Sequence, residues 1–242
     1  MTAKTFFTPF LIAASARLAS VSAGFGLVFL AGCSVLPTPP AQALVYDFGP
    51  GMQVPVAASI SAAAPLAAPL PTLALADVES MGGNDNSTAV LYRLAYTDAR
   101  QLRPYQQARW AMPPAQLVQQ ALRTQLGERR AVLSADDALS AARAATSPTA
   151  AGGAGSLPTV LRTELEEFSQ VFSSASASTG LVRLRATLVE PTLEGEKLLG
   201  QRLFTVQAPA PSADAAGGTR ALADATAQAA QAVAQWVEQI GH

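Results

Sequence analysis

Apolar and polar residues alternate along much of this chain, and twice the alternation gives way to a helical period. Val90, Tyr92, Leu94 and Tyr96 share one side of a period-two run and Leu91, Arg93 and Ala95 the other, which predicts a strand over 89–96. A loop with Asp98 and Arg100 leads to a second run, 105–111, where Trp110 alternates with Gln107 and Arg109. The two runs are expected to pair as a hairpin. Met112-Pro113-Pro114 ends the second strand and opens a helix, because proline in a first helical turn gives up no hydrogen bond. Leu117, Val118, Ala121, Leu122 and Leu126 then form an apolar stripe opposite Gln116, Gln119, Gln120, Arg123 and Gln125, with Gly127 as the stop.

The second half repeats the scheme. In 159–172, Leu161, Thr163 and Leu165 face one way and Arg162, Glu164 and Glu166 the other, and the slip at Glu167-Phe168 predicts a bulge. Gly180 reads as a turn. The clearest strand is 181–190, with Val182, Leu184, Ala186 and Leu188 against Arg183, Arg185 and Thr187. A turn at 191–195 returns the chain to a partner strand at 198–207. The last element is a helix over 219–240, whose stripe runs Leu222, Ala225, Ala229, Ala232, Val233, Trp236, Val237, Ile240, bounded by Gly217-Gly218 and Gly241. Short strands are also expected at 45–48, 73–78 and 131–133, and a helix start at Ser134–Asp137. Strand runs separated by single helices, with one polar face on the clearest strands, predict an α+β fold: a two-layer, mostly antiparallel sheet with two main amphipathic helices on one face.

Between these elements the chain is compositionally simple. Residues 34–71 hold eight prolines, which lack an amide donor and fix φ, so 34–43 reads as a tether and 50–70 as a loop. Residues 146–156, rich in Ala, Gly, Ser and Thr, read as an exposed loop.

The N-terminus changes the picture most. Lys4 and Arg17 precede a run from Leu18 to Leu30 with no charge, too short at 13 residues to cross a ~30 Å hydrocarbon core as a permanent helix. It ends in Leu30-Ala31-Gly32-Cys33, a bacterial lipobox that contains the one cysteine of the chain. Cleavage between Gly32 and Cys33 leaves Cys33 as the acylated first residue. Each buried methylene contributes about 0.8 kcal/mol, so the several acyl chains usual on a mature lipoprotein make a stable membrane anchor. Ser34, where aspartate favours inner-membrane retention, points to the outer membrane. The division expected is 1–32 signal peptide, 33–71 lipidated Cys and tether, 72–242 folded domain.

Composition narrows the chemistry. Sixteen basic residues balance seventeen acidic ones with no basic stripe, so no nucleic-acid footprint is expected. The one histidine is His242, which leaves no internal His for a catalytic triad and no His/Cys cluster for zinc. No phosphate-binding glycine loop is present. No enzyme activity, metal or cofactor is expected. Glu164, Glu166 and Glu167 form the dense carboxylate cluster of the chain, but beside Arg162 they read as a solvated, ion-paired face rather than as an acid–base pair. Tyr92, Tyr96, Trp110 and Trp236 are the aromatics an apolar lipid-carrying groove would use, although aromatics at strand and helix period ordinarily fill a core. Arg109, Arg183 and Arg185 are candidates for a docking surface.

The lipobox at Cys33, Val45-Tyr46-Asp47-Phe48 in the early strand, and Arg109-Trp110-Ala111-Met112-Pro113 before an amphipathic helix together resemble the ABC-type transport auxiliary lipoproteins, the PqiC-like lipoproteins. The strand from Leu161 to Phe172, the meander after it and Val233-Ala234-Gln235-Trp236 in the last helix match as well. The resemblance covers most of 45–240 and contains no catalytic motif. It implies a non-enzymatic component of an envelope lipid-transport system, anchored on the periplasmic face of the outer membrane. The implied partners are an ABC transporter and a mammalian-cell-entry-type substrate-binding protein. A free sheet edge also allows a homo-oligomer.

Overall fold

The computed structural model describes residues 42–49, 70–81, 86–134, 136–138, 140, 157–192 and 194–241. The lipobox with Cys33, the proline-rich 50–69 and the low-complexity 141–156 lie outside the described residues. The strands are β1 (Leu44–Tyr46), β2 (Leu73–Leu75), β3 (Glu79–Ser80), β4 (Ala89–Leu94), β5 (Ala99–Trp110), β6 (Val132–Ser134), β7 (Thr159–Phe172), β8 (Ser178–Thr192) and β9 (Gly195–Pro209). The helices described from end to end are the four-residue α1 (Ala95–Asp98), α2 (Pro114–Gly127) and α3 (Ala215–Gln239). The fold is α+β.

Among the described residues these nine strands belong to one sheet whose axis is β7. Along one edge β7 pairs antiparallel with β8, which pairs antiparallel with β9. Along its other edge three short strands follow one another, all parallel to it: β2 at Thr159–Leu161, β3 at Glu164–Leu165 and β4 at Gln170–Phe172. The sheet therefore forks, with β6 beyond β2 at one end and β5, then β1, beyond β4 at the other. The expectation of a mostly antiparallel sheet holds in part: the long ladders β7–β8 and β8–β9 and the β4–β5 hairpin are antiparallel, and the five short ladders are parallel. Parallel neighbours come from distant parts of the chain, and period-two alternation carries no sign of strand direction. β1, expected as a short strand at 45–48, is an edge of this sheet.

Both helices pack into the same core. α2 buries Ala115, Leu117, Val118, Leu122 and Leu126, close to the stripe its sequence predicts. α3 lies against β8 and β9 and contacts α2. It buries Leu222, Ala225, Ala229, Val233, Trp236 and Val237 against Val182, Leu184, Ala186 and Leu188 of β8. Full burial of each large apolar side chain contributes roughly 1.5–3 kcal/mol.

The N-terminus of α3 corrects two readings. The helix starts at Ala215, and Asp214 is its cap, the carboxylate accepting the Gly217 amide at 2.8 Å. Gly217 and Gly218 are thus inside the first turn, not ahead of it. A Cβ on Gly217 would collide with the Ser212 backbone, and one on Gly218 with the Gln170 amide. Gly180 lies within β8 and is not a turn; the reversal between β7 and β8 falls at 173–177, closed by the Ser173 amide donating to the Ala177 carbonyl. A Cβ on Gly180 would sit 2.6 Å from the backbone of Ala221 and Leu222. Glycine stands there because helix and strand backbones touch.

Candidate functional site

The clearest concentration of charge lies on the face of β7 and β8 that points away from α3. The bulge expected near Glu167 is present, with Glu166 as the extra residue between Leu165 and Glu167. It turns Glu166 toward β8, where its carboxylate accepts from Arg183 Nη2 at 3.0 Å and from Arg185 Nε at 2.9 Å. Glu164 lies 3.7 Å from Arg185. Two more pairs extend the strip toward β9, Arg162 with Glu196 and Lys197 with Glu190. The Glu166 side chain is only 10% exposed, so its arginines satisfy a carboxylate that water scarcely reaches. Glu164 and Glu166 are thus engaged by guanidinium groups. The exposed outer pairs, Arg162–Glu196 and Lys197–Glu190, contribute about 0–1 kcal/mol each and fix side-chain geometry more than they stabilise the fold.

Arg93 links this strip to the β4–β5 hairpin. Its Nε and Nη2 donate to the two carboxylate oxygens of Glu167 at 3.2 and 2.8 Å, and Nη1 donates to the carbonyls of Ala99 and Arg100, each at 3.2 Å. Ser169 Oγ donates to Glu167 at 2.6 Å. One guanidinium therefore ties the hairpin tip to β7. Between hairpin and bulge lies an open cleft of about 520 Å³, lined in part by Met81, Leu91, Leu102, Pro104 and Phe168.

The residues singled out in the sequence fall in different places. Trp110 is buried and meets Phe48 and Phe168 edge-on, with ring centroids 5.8 and 5.5 Å away. Trp236 is buried against Phe204 at 5.9 Å. No ring contact joins these two groups among the described residues. Tyr92 is half-buried and packs on Tyr105 and Phe172. Tyr96, expected on the same strand face as Tyr92, sits instead in α1 and is exposed, because β4 ends at Leu94. Arg109 donates to the carbonyls of Tyr105 and Ala108. The β4–β5 register jumps there, from Ala89 opposite Arg109 to Leu91 opposite Pro104, and the bulged carbonyls need donors. Arg183 and Arg185 both hold Glu166. Among the described residues no group of three His, Cys, Asp or Glu side chains could hold a metal ion, and no helix is long and apolar enough to cross a membrane.

A buried polar chain escapes sequence reading. Gln170 has no exposed surface; its Oε1 accepts from the Tyr105 hydroxyl at 2.8 Å and its Nε2 donates to Ser178 Oγ at 2.7 Å. Glutamine ordinarily marks a solvent position, and only its place opposite Gly180, on the β8 face turned toward α3, hinted otherwise. Burial, then the neighbouring Tyr92 and Asp214, push the Tyr105 hydroxyl up to about 12. The unfolded chain loses this proton near pH 10 and the native chain near 12, so the unfolded state binds fewer protons between them. Stability is expected to fall as pH rises from 10 to 12 and to fall less steeply in Tyr105→Phe, read as urea midpoints across that range.

Comparison with known proteins places this architecture. The model of the ABC-type transport auxiliary lipoprotein component family matches residues 86–234, which include the hairpin, α2, the ion-paired strip and most of α3. The crystal structure of protein XCC0632 from Xanthomonas campestris is similar with a TM-score of 0.56 at 18% identity, over 72% of this chain and 89% of that one. A second crystal structure, of an uncharacterized protein, is similar with a TM-score of 0.51 at 14% identity, over 81% of this chain and 99% of that one. At these identities the two structures speak to the fold alone. No curated protein matches the chain. The match extends over more than half of the sequence and takes in α2, most of α3 and the charged strip, and the chain belongs to the ABC-type transport auxiliary lipoprotein component family.

Proposed function

We propose that this protein is a lipoprotein acylated at Cys33, held on the periplasmic face of the outer membrane. There it serves as a non-enzymatic docking component of an ABC-type, mammalian-cell-entry-associated lipid-transport system. The family match over 86–234 carries this reading, and the lipobox Leu30-Ala31-Gly32-Cys33 supports it. The ion-paired strip fits recognition better than bond-breaking, since each of its glutamates is already engaged by arginine or lysine. Packing of Trp110 and Trp236 in the core favours docking over carriage of lipid in a groove between sheet and helices. A homo-oligomer suits the same role, because among the described residues β9 pairs with β8 alone and leaves its other edge open.

Two measurements test the reading. Labelling with a palmitate analogue is expected to mark the wild type and not Cys33→Ala, and the variant is expected to leave the membrane fraction. Pull-down of the wild type from detergent-solubilised envelopes is expected to recover an ABC permease component or a mammalian-cell-entry-type protein. Recovery of neither, from a strain that expresses both, overturns the docking role.

A further inference from the structure

We propose that the tip of the β4–β5 hairpin, residues 95–103, rests on the phospholipid surface that holds Cys33. Tyr96 and Leu102 would sit among the headgroups, with Arg100 and Arg103 against lipid phosphates. This inference rests on the reading of Cys33 as the acylated residue.

Strand direction supplies the first support. β1 runs parallel to β5, with Leu44 opposite Ala108 and Tyr46 opposite Trp110. Traced backwards from Leu44, Ala43 and Gln42 therefore lead along β5 toward its start at Ala99, the hairpin tip. Cys33 is eleven residues before Leu44, and a fully extended backbone spans at most ~3.3–3.6 Å per residue, or about 36–40 Å. Ala99 is nine residues before Ala108, at most about 30 Å along a strand and less where β5 bulges. The contour from anchor to β1 is thus long enough for the tip to touch the bilayer, and it keeps Leu44 within about 40 Å of the membrane surface.

The chemistry of the tip supplies the second. All residues from 95 to 102 are exposed, an unbroken run in which Tyr96 is 52% and Leu102 42% accessible. Tyrosine combines an apolar ring with a polar end and is enriched at membrane–water interfaces. Arg100 has 94% of its side chain in solvent. Arg103 is turned toward the Gln101 side chain. Guanidinium groups match phosphate oxygens in pairs. Asp98 is the one acid in the segment, and it is paired with Arg100 at 3.3 Å. Arg93, bound to Glu167 and to the carbonyls of Ala99 and Arg100, braces the tip against β7.

The test uses the full lipoprotein in vesicles of phosphatidylethanolamine and phosphatidylglycerol. Because Cys33 is the one cysteine of the chain and is acylated, Tyr96→Cys, Leu102→Cys and Leu203→Cys each offer a single free thiol for an environment-sensitive fluorophore. Leu203, exposed on β9, is the reference position. Nitroxide-bearing lipids are expected to quench about half or more of the emission at 96 and 102 and little at 203, as interfacial burial of the tip requires. Mass spectrometry and flotation of the same samples report acylation. Equal quenching at all three positions, or none at 96 and 102 in protein that is acylated and floats, overturns the inference while leaving the anchor intact. Protein that is unacylated and does not float overturns both.

Discussion

Trp110→Ala is expected to lower the unfolding free energy of this chain by about 3 kcal/mol, read as a shift of the urea midpoint at unchanged slope. Trp110 is 2% exposed and fills the space between Phe48 and Phe168, so truncation leaves a cavity that two rings border. Loss of a buried tryptophan ordinarily costs about 3–5 kcal/mol. The low end applies because Trp110 Nε1 is buried without an acceptor among the described residues, and removing an unsatisfied donor returns about 1 kcal/mol or more. Trp110→Phe keeps a ring and removes the orphan donor, so its expected cost is about 1 kcal/mol. A tryptophan lining a lipid groove would behave otherwise, with Trp110→Ala leaving the midpoint in place and reducing co-purified lipid.

Gly180→Ala is expected to cost as much, about 3 kcal/mol, the upper end for overpacking a core. Three backbone atoms of Ala221 and Leu222 stand 2.6–2.8 Å from where the methyl group would be. A side chain can rotate away from such a clash; a helix backbone can yield only if α3 withdraws from β8 along its length. That withdrawal loosens Leu222, Ala225 and Ala229 against the sheet. Gly127→Ala is the control. It is the last residue of α2 with nothing near its Cβ position, and its expected change is well under 1 kcal/mol. A Gly180→Ala midpoint no lower than that of Gly127→Ala would show that the helix does not lie this close to the strand.

Gly180 also shows where sequence reading stops. A glycine in an apolar run marks either a reversal or a close approach, and the run itself does not say which. The same ambiguity set Gly217 and Gly218 outside the helix, although Asp214 three residues earlier is a good capping residue. Strand faces were more legible. The inward set Val182, Leu184, Ala186 and Leu188 is buried as its alternation predicts, and the bulge beside Glu167 falls where the period slips. Helix α2 was legible from its proline start to its glycine end. The charged strip was visible as a polar face, because carboxylates and arginines alternate in register on neighbouring strands. Its link to the hairpin through Arg93 was not, since β4 and β7 pair across a long stretch of chain and neither pattern points to the other. The Tyr105–Gln170–Ser178 chain was hidden for a similar reason, as a glutamine buried by tertiary contact looks in sequence like one in water.

The three parallel neighbours of β7 bear on how the molecule acquires its shape. Their partners lie about 80 residues further along the chain, and closing such loops before any pairing is gained slows folding toward the millisecond-to-second range. A chain that emerges N-terminus first exposes β2, β3 and β4 well before β7 exists to receive them. For that interval their apolar residues, Leu73, Leu75 and Val90 among them, have no native shelter. Newly made molecules are therefore expected to pass through an aggregation-prone stage that ends only when the central strand is free to receive them, and their yield should depend on holding chaperones during it.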